Sequence, residues 1–271
     1  MGVTSYSIGR ERRAFSVIVP AFNEGSSIAA VLDRLLASLE ALRTDYAIEL
    51  IVVNDGSSDD TQNVLGSYLA ARPGLLSVRT HEQNQGLERA IVTGCRAATT
   101  DTVVLLDADL SYAPEIVGPL VDKLFATGAA AVLASPYMAG GRFANVPTTR
   151  LVASRVANFL LSLCVGRTIR TFTGMVRAYD ARVLLPILAH SPQGEFNTWI
   201  VAELLASGQR VVEIPAALIW PRERAEAAPR LSAQALKRRS RQVLASIGAL
   251  RRGYRLHKIA RLKREEDLSP I

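Results

Sequence analysis

The feature that most constrains the fold is an alternation of two kinds of segment along the chain. Short apolar runs, rich in β-branched residues, occupy 15–22, 48–55, 75–82 and 101–109. Between them lie segments with apolar residues at intervals of three and four, as in 28–42. Buried strands that alternate with helices of about 10–15 residues predict a parallel sheet covered by helices on both faces. A chain of 271 residues, 49% hydrophobic, is long enough to bury such a core.

Each predicted strand ends in polar residues. The four strand ends read "PAFNE", "NDGSSDD", "EQNQG" and "DADLS". In open parallel sheets ligands bind outside the carboxyl ends of the strands, so we expect these four loops to form one crevice. The sequence contains neither GxGxxG nor GxxxxGK[ST], which excludes the usual dinucleotide and P-loop fingerprints.

Two carboxylates, Asp107 and Asp109, follow the apolar strand in "VVLLDAD". Like charges this close repel unless a cation lies between them. Mg²⁺ or Mn²⁺ suits such a pair, because these ions use few protein carboxylates and complete their shell with water and phosphate oxygens. The alternative is an acidic turn that caps the next helix. Asp55 in "NDGSSDDT" has the same two interpretations: it binds a nucleobase or ribose, or it belongs to an Asx-rich turn.

Four motifs occur in a fixed order along the chain: "VIVPAFNE", "IVVNDGSSDDT", "NQGLERAIVTG" and "VVLLDADLSYAPE". In this order and spacing they resemble the family 2 glycosyltransferases, over about residues 15–220. The segments "YMAGGR", "TGMVRAYD" and "VVEIPAAL" are similar to those of the dolichol-phosphate, or polyprenyl-phosphate, mannose synthase branch. The resemblance implies the α/β fold called GT-A, a Rossmann-like, mostly parallel sheet with helices on both faces. We expect it over residues 1–230, followed by a basic amphipathic helical segment at 231–271.

The resemblance also implies an activity and a set of site residues. The activity is inverting transfer of a hexose from GDP-mannose or a UDP-sugar to polyprenyl phosphate, with Mg²⁺ or Mn²⁺ as cofactor. The residues implied for nucleotide-sugar binding are Pro20, Ala21, Glu24, Asp55, Asp107, Ala108 and Asp109. Those implied for the metal are Asp107, Asp109 and Ser111. Those implied for catalysis are Asp109, Arg150 facing the acceptor phosphate, and Arg222 or Arg224 in the loop that closes over the donor.

The chain departs from the branch on the acceptor side. Pro136 stands where the branch has an arginine that binds phosphate, and Arg170 stands where it has an aspartate. The loop at 222–232 reads "RERAEAAPRLS" and lacks the Gly, Ser and Lys of the branch. The acceptor therefore stays open, and the alternative is a soluble glycosyltransferase acting on a hydroxyl of a small molecule or glycan. Such an acceptor would need a carboxylate to deprotonate it.

The charge is concentrated near the end of the chain. Residues 222–264 contain 14 Lys/Arg and 2 Asp/Glu, in a chain whose net charge is +7. Apolar residues Val243, Ile247, Leu250 and Tyr254 recur there at helical spacing, which predicts a helix lying on an anionic membrane surface. Nucleic-acid binding through this tail is a second alternative. The acidic body and the absence of a reader motif argue against it, so no nucleic-acid partner is expected.

The location follows from the same patterns. No run reaches the ~18–20 apolar residues of a spanning helix, and no signal peptide precedes the first strand. We expect a cytoplasmic protein, peripheral at the inner face of the membrane, and leave open whether it forms a homo-oligomer. Cys95 and Cys164 lie in apolar surroundings, which predicts buried free thiols in a reducing compartment.

Overall fold

The computed structural model describes residues 12–72, 74–164, 168–190 and 196–222, with single tail positions between 241 and 248. The strands of this part are β1 Arg13–Ala21, β2 Tyr46–Asn54, β3 Leu76–Thr80, β4 Thr102–Leu105, β5 Ala131–Ser135, β6 Arg142–Ala144, β7 Arg177–Asp180, β8 Val211–Pro215 and β9 Ala217–Ile219. The helices are α1 Ile28–Leu42, α2 Thr61–Ala71, α3 Leu87–Ala97, α4 Val117–Thr127, α5 Thr148–Cys164, α6 Ala181–Leu188 and α7 Phe196–Ala206. A 3₁₀ turn, Pro114–Ile116, precedes α4.

The central sheet of the described residues has seven strands in the order β3-β2-β1-β4-β7-β5-β8. β1 pairs in parallel with β2 and β4, β2 with β3, and β5 with β8. β7 runs antiparallel between β4 and β5. A second, two-stranded sheet pairs β6 with β9. The expected α/β architecture, mostly parallel with helices on both faces, is confirmed.

Apolar clusters cover both faces of the sheet. Val17 and Val19 of β1 pack in one cluster with α1 and α4, and Ile18 packs in the other with α3, α6 and α7. Successive side chains of a strand point to opposite faces, so a strand buried on both faces needs a continuous apolar run. This explains why β1 lacks the apolar–polar alternation of a half-exposed strand.

The basic tail can be compared with its prediction at a few positions only. Val243 and Ile247 are partly buried and pack against the second cluster, while Leu244 is exposed. Two members of the stripe that was expected to face a membrane therefore contact the body of the protein. The remainder of 231–271 lies largely outside the described residues. Among the helices that the structure describes, none has the length and apolarity needed to cross a membrane.

The two cysteines differ. Both are free thiols, but only Cys95 is buried, and Cys164 at the end of α5 is partly exposed. The expectation of burial is therefore right for Cys95 and wrong for Cys164. Burial raises the pKa of the Cys95 thiol to about 12, which makes it unreactive near neutral pH.

Candidate active site

A cavity of about 530 Å³ opens beside the carboxyl ends of β1 and β4. Five residues expected at the donor site line it: Pro20, Glu24, Asp107, Ala108 and Asp109. Other lining residues were not expected from the sequence, and these are Ser26, Ser27, Val31, Leu87, Met175 and Pro221. The parallel register of β1 with β4 explains the convergence, because it brings the two strand ends side by side.

The acidic pair lies on a tight turn after β4. Leu110 has a φ of +49°, a value rarely adopted by residues other than glycine. The turn lets the Ser111 N–H donate to Asp109 Oδ1 at 2.8 Å. Asp109 thus shapes its own turn and also lines the cavity. The residue that caps the following 3₁₀ turn is Ala113, so the alternative of an acidic helix cap is wrong, and metal binding by the pair stays a prediction. Burial, and then the charge of Asp107, raise the pKa of the buried Tyr112, whose hydroxyl stays protonated at neutral pH.

The donor atoms at this turn fit a divalent cation bound partly by the protein. In the part of the chain that the structure describes, no three or more His, Cys, Asp or Glu side chains group together as a complete metal site. Two carboxylates on an open cavity suffice for Mg²⁺ or Mn²⁺ when water and phosphate oxygens supply the other ligands. Ser111 is buried, and its carbonyl accepts from the Ile219 N–H at 2.8 Å. Its assignment as a metal ligand stays a prediction.

The loop that carries Glu24 is attached to the loop after β2. The Glu24 N–H donates to Thr61 Oγ1 at 2.9 Å, and the Gly25 N–H donates to Asp59 Oδ2 at 2.8 Å. Hydrogen bonds from Thr61 and Gly25 hold the pKa of Asp59 below its usual value. The Glu24 carboxylate accepts a hydrogen bond from the Ser27 hydroxyl. These contacts position Glu24 just before α1, on the wall of the cavity.

Asp55 has a different setting from the one expected. It is buried, and its carboxylate accepts from the Gln85 N–H at 2.9 Å, the Gly86 N–H at 2.8 Å and His81 Nδ1 at 2.7 Å. The other ring nitrogen of His81 lies 2.8 Å from Thr93 Oγ1. Asp55 therefore ties the end of β2 to the loop before α3, whose first residue, Leu87, lines the cavity. Its contact with a nucleoside stays a prediction.

Two smaller features keep these loops in place. Gly56 has a φ of +68°, and a Cβ there would lie 2.2 Å from the carbonyl carbon of Gln83. Only glycine fits that close approach. Ala21 is buried, and its carbonyl accepts from the Asp55 N–H at 2.8 Å. Ala21 therefore supports the site through its backbone.

A second pocket of about 550 Å³ lies beside β6 and the first half of α5. Its lining residues are Pro136, Tyr137, Met138, Gly141, Arg142, Phe143, Leu151 and Arg155. The Arg155 guanidinium stacks 5.5 Å above the ring of Phe143. The Tyr137 and Ser154 hydroxyls lie 2.7 Å apart. Pro136 has replaced the arginine of the branch, but two other arginines line the same pocket.

Arg150 lies close to both pockets. Its guanidinium stacks 5.6 Å above the ring of Trp220, the residue before Pro221 in the first cavity. Its neighbour Leu151 lines the second pocket. Arg222 is exposed and follows Pro221, and Arg224 lies outside the described residues. The roles of these arginines in catalysis stay predictions.

Arg177, a fully buried arginine of β7, was not among the residues predicted from the sequence. Its guanidinium donates to the Phe172 carbonyl at 2.6 Å, the Asn197 carbonyl at 2.7 Å and the Tyr179 hydroxyl at 3.0 Å. These bonds connect the start of α7 with the segment that leads to Met175 in the cavity wall. The one signal in the sequence is a charged residue inside the apolar stretch "MVRAY".

The mostly parallel α/β sheet, with a cavity and an acidic pair at its carboxyl edge, is the arrangement expected of the GT-A fold. The model of the family described as "Glycosyl transferase family 2" matches residues 16–187. The chain therefore belongs to glycosyltransferase family 2, as the motifs predicted.

The curated relatives have names that fit the predicted branch. The undecaprenyl-phosphate 4-deoxy-4-formamido-L-arabinose transferase of Sodalis glossinidius is 31% identical over 203 residues, 74% of this chain and 58% of the relative. The corresponding transferase of Proteus mirabilis is 30% identical over 205 residues, 74% of this chain and 59% of the relative. The chain thus spans less than two thirds of the length of these relatives.

Solved structures confirm the fold. The glucosyl-3-phosphoglycerate synthase of Mycobacterium tuberculosis, in complex with Mn²⁺, UDP and glucosyl-3-phosphoglycerate, matches with a TM-score of 0.63 at 22% identity. The match covers 87% of this chain and 78% of that one. A mannosyltransferase of Pyrobaculum calidifontis, in complex with GDP-Man and Mn²⁺, matches with a TM-score of 0.56 at 21% identity, over 96% of this chain and 77% of that one. At such identities the likeness concerns the fold alone.

Proposed function

We propose that this chain transfers a sugar from a nucleoside diphosphate sugar to a polyprenyl phosphate, with inversion at the anomeric carbon. The observation that carries the proposal is the cavity that brings Asp107 and Asp109 together with Pro20 and Glu24. The names of the relatives, which are undecaprenyl-phosphate sugar transferases, support the acceptor class.

On the donor side, Asp107 and Asp109 would hold Mg²⁺ or Mn²⁺ together with the diphosphate of the donor. Such an ion, when bound, neutralises charge on the leaving diphosphate. The solved neighbours that contain Mn²⁺ with UDP or GDP-Man support a metal of this kind. The cavity walls near Pro20 and Glu24 would hold the nucleoside. Ala21 would support them through its backbone, and Asp55 would do so by fixing the loop before α3.

On the acceptor side, we propose that the second pocket receives the phosphate. Arg142 and Arg155 line it, and guanidinium groups bind phosphate oxygens through paired hydrogen bonds. A phosphate oxygen attacks the anomeric carbon and forms the new C–O bond. The bond to the nucleoside diphosphate breaks, and its electron pair leaves with that group. Because the phosphate is already ionised, the reaction needs no strong general base.

The same pocket chemistry also suits a small phosphorylated acceptor, such as the phosphoglycerate unit found in the Mycobacterium tuberculosis neighbour. A lipid acceptor would bring the chain to a membrane surface, so a peripheral position at the inner, cytoplasmic face is part of the first proposal. A small acceptor would not require the protein to be at a membrane. One experiment that offers both acceptors therefore distinguishes them.

The experiment offers GDP-mannose, UDP-glucose and UDP-GlcNAc to the full chain with Mn²⁺ or Mg²⁺. The acceptors are undecaprenyl phosphate and 3-phosphoglycerate, and products are identified by mass spectrometry and anomeric NMR. We expect a lipid-linked sugar phosphate of inverted configuration. Transfer to 3-phosphoglycerate alone would replace the lipid acceptor with a soluble one, and no turnover of any donor would refute the proposal.

A pair of variants tests the acceptor pocket. The double variant Arg142→Gln/Arg155→Gln should raise the KM for the acceptor by about 100-fold or more, because each of the two lost charge-assisted hydrogen bonds contributes about 1.5–3 kcal/mol. The Kd for the nucleoside diphosphate should stay unchanged. Arg34→Gln, an exposed arginine on α1, is the matched control and should change neither value. Equal acceptor KM values in the wild type, the double variant and Arg34→Gln would show that the second pocket does not bind the acceptor.

A further inference from the structure

Helix α5 has the reverse of the usual distribution of polar and apolar residues. The residues that it buries are Asn158, Leu161 and Ser162, and two of these three are polar. Its large apolar side chains are exposed instead: Val152 by 54%, Val156 by 53%, Phe159 by 53%, Leu160 by 41% and Leu163 by 45%. A helix that packs only on its own domain turns its apolar stripe toward the core. The outward face of α5 is therefore apolar although it does not pack on the core of the described residues.

These five residues form one continuous surface, which we call the α5 face. They follow the helical spacing i, i+4, i+7, i+8 and i+11, and thus extend over about 16 Å of one side of the helix. Of the ten large apolar side chains exposed within the described ranges, five belong to this face. Exposed apolar patches of this kind mark interaction sites.

The charge of the segment that carries the α5 face is of one sign. Residues 136–164, which include β6 and α5, contain three arginines and no Asp or Glu. Arg155 lies on the helix beside Val152 and Val156 and is exposed, as is Arg142 on β6. Both arginines line the second pocket. An apolar stripe with a basic edge is typical of helices that lie in the interface of an anionic membrane.

We propose that the α5 face docks this protein onto an anionic lipid surface. The apolar side chains enter the interface, and Arg142 and Arg155 lie at the level of the phosphates. This deepens the proposed function, on which it rests, because the second pocket opens where a lipid phosphate would arrive. The tail residues Val243 and Ile247 pack against the body, so they do not supply this contact.

Charge also decides between a membrane and a second copy of the chain. A two-fold interface uses the same surface on both copies. It would set the acid-free basic edge of one copy against that of the other, and like charges across an interface are unfavourable. An anionic surface complements the same edge.

The test compares two leucines of equal exposure. Leu160 on α5 is 41% exposed, and Leu69 on α2 is 40% exposed. The full chain and the variants Leu160→Gln, Leu160→Gln/Leu163→Gln and Leu69→Gln are co-sedimented with phosphatidylcholine vesicles, with and without phosphatidylglycerol. We expect the double variant to lose partitioning into the anionic vesicles by about tenfold or more, the single α5 variant to lose less, and Leu69→Gln to match the wild type.

Salt and fold serve as internal controls. Binding should weaken at high ionic strength but persist, because screening reduces the charge attraction and leaves apolar burial intact. Thermal unfolding should be the same for all variants, since every substituted side chain is exposed. Equal vesicle binding by the double variant and the wild type would overturn the proposal. So would a change from dimer to monomer on size exclusion with vesicle binding unaltered, or vesicle binding that is lost only when 231–271 are removed.

The two proposals fail in different ways. Loss of donor turnover in every assay, with vesicle binding still dependent on α5, would refute the proposed function and leave the docking surface standing. Sugar transfer to polyprenyl phosphate in detergent, with vesicle binding independent of α5, would refute the α5 face as a docking surface and leave the proposed function standing.

Discussion

Replacing Asp55 by Asn tests whether this buried carboxylate acts mainly as a structural tie. The substitution keeps the size of the side chain but turns one oxygen into an N–H donor. Oδ1 accepts from Gln85 N and His81 Nδ1, and Oδ2 accepts from Gly86 N. An asparagine whose remaining oxygen serves the first pair must point its amide nitrogen at the Gly86 N–H. The N–H of Gly86, a half-buried residue, is then left without an acceptor, and two hydrogen bonds lose the help of a full charge.

The magnitude follows from these contacts. An unsatisfied buried donor costs about 1–3 kcal/mol, and the half-buried Gly86 N–H should lie in the lower half of this range. Hydrogen bonds to a charged group are roughly twice as strong as neutral ones, so the two weakened bonds lose about 0.5–1 kcal/mol each. We expect the free energy of unfolding of Asp55→Asn to fall by about 3 kcal/mol. With a urea m value of about 3 kcal/mol/M for a chain of this size, the midpoint should fall by about 1 M.

The assay is urea unfolding followed by far-UV circular dichroism. The matched control is Asp60→Asn in the same loop, where an exposed carboxylate accepts a single hydrogen bond from Asn63 at 2.7 Å. Its effect should stay within about 0.5 kcal/mol. A titration with the nucleoside diphosphate, well below the unfolding midpoint, separates stability from binding. An unchanged urea midpoint for Asp55→Asn together with weakened nucleoside binding would refute the structural reasoning and favour direct contact.

Three further predictions concern the acidic pair, a tyrosine and the thiols. Asp109→Asn should lower sugar transfer by about 100-fold or more, because Asn brings no charge to a metal. Its urea midpoint should stay unchanged, because Asn can still accept from the Ser111 N–H. Activity that survives EDTA would contradict the proposed metal. Burial and the hydrogen bond to Asp122 raise the pKa of Tyr46 to about 12, from an ordinary value of 10.0. The resulting stability is fully present below pH 10 and is lost as pH rises from about 10 toward 12. The free energy of unfolding of Tyr46→Phe should therefore vary less with pH over that range than that of the wild type. Equal slopes of this free energy against pH in the two proteins would refute the prediction. Iodoacetamide at neutral pH should label Cys164 and leave Cys95 unmodified in the folded protein, and mass spectrometry of the digest would measure both. Equal labelling of the two thiols would contradict the burial of Cys95.

Much of the fold was predictable because its signals are local. Apolar runs such as Val17–Val19 and Leu50–Val53 identify buried strands, and the three- and four-residue periodicity of α1 identifies a helix. The rule that ligands bind at the carboxyl ends of parallel strands then places Pro20, Glu24, Asp107 and Asp109 in one crevice. The structure brings these four residues together in its first cavity.

The antiparallel strand β7 needed the tertiary structure. Its four residues, Arg177–Asp180, are too short and too polar to indicate a partner, and the pairing with β4 and β5 joins segments tens of residues apart. The role of Arg177 also needed the tertiary structure. Its hydrogen-bond acceptors are the Phe172 and Asn197 carbonyls, in segments before and after β7, and the Tyr179 hydroxyl within β7.

The sequence by itself determined most of the helices and strands, and which loops carry the acids of the crevice. It did not determine which way an amphipathic helix faces. Periodicity marks an apolar side on α5 and on the tail alike, but only packing decides whether that side meets the core or the outside. The tertiary structure turns Val243 and Ile247 inward and Val156 and Leu160 outward. It also turns Asp55 from an open strand end into a buried tie, because its three hydrogen-bond donors come from a loop about 30 residues away that only folding brings near.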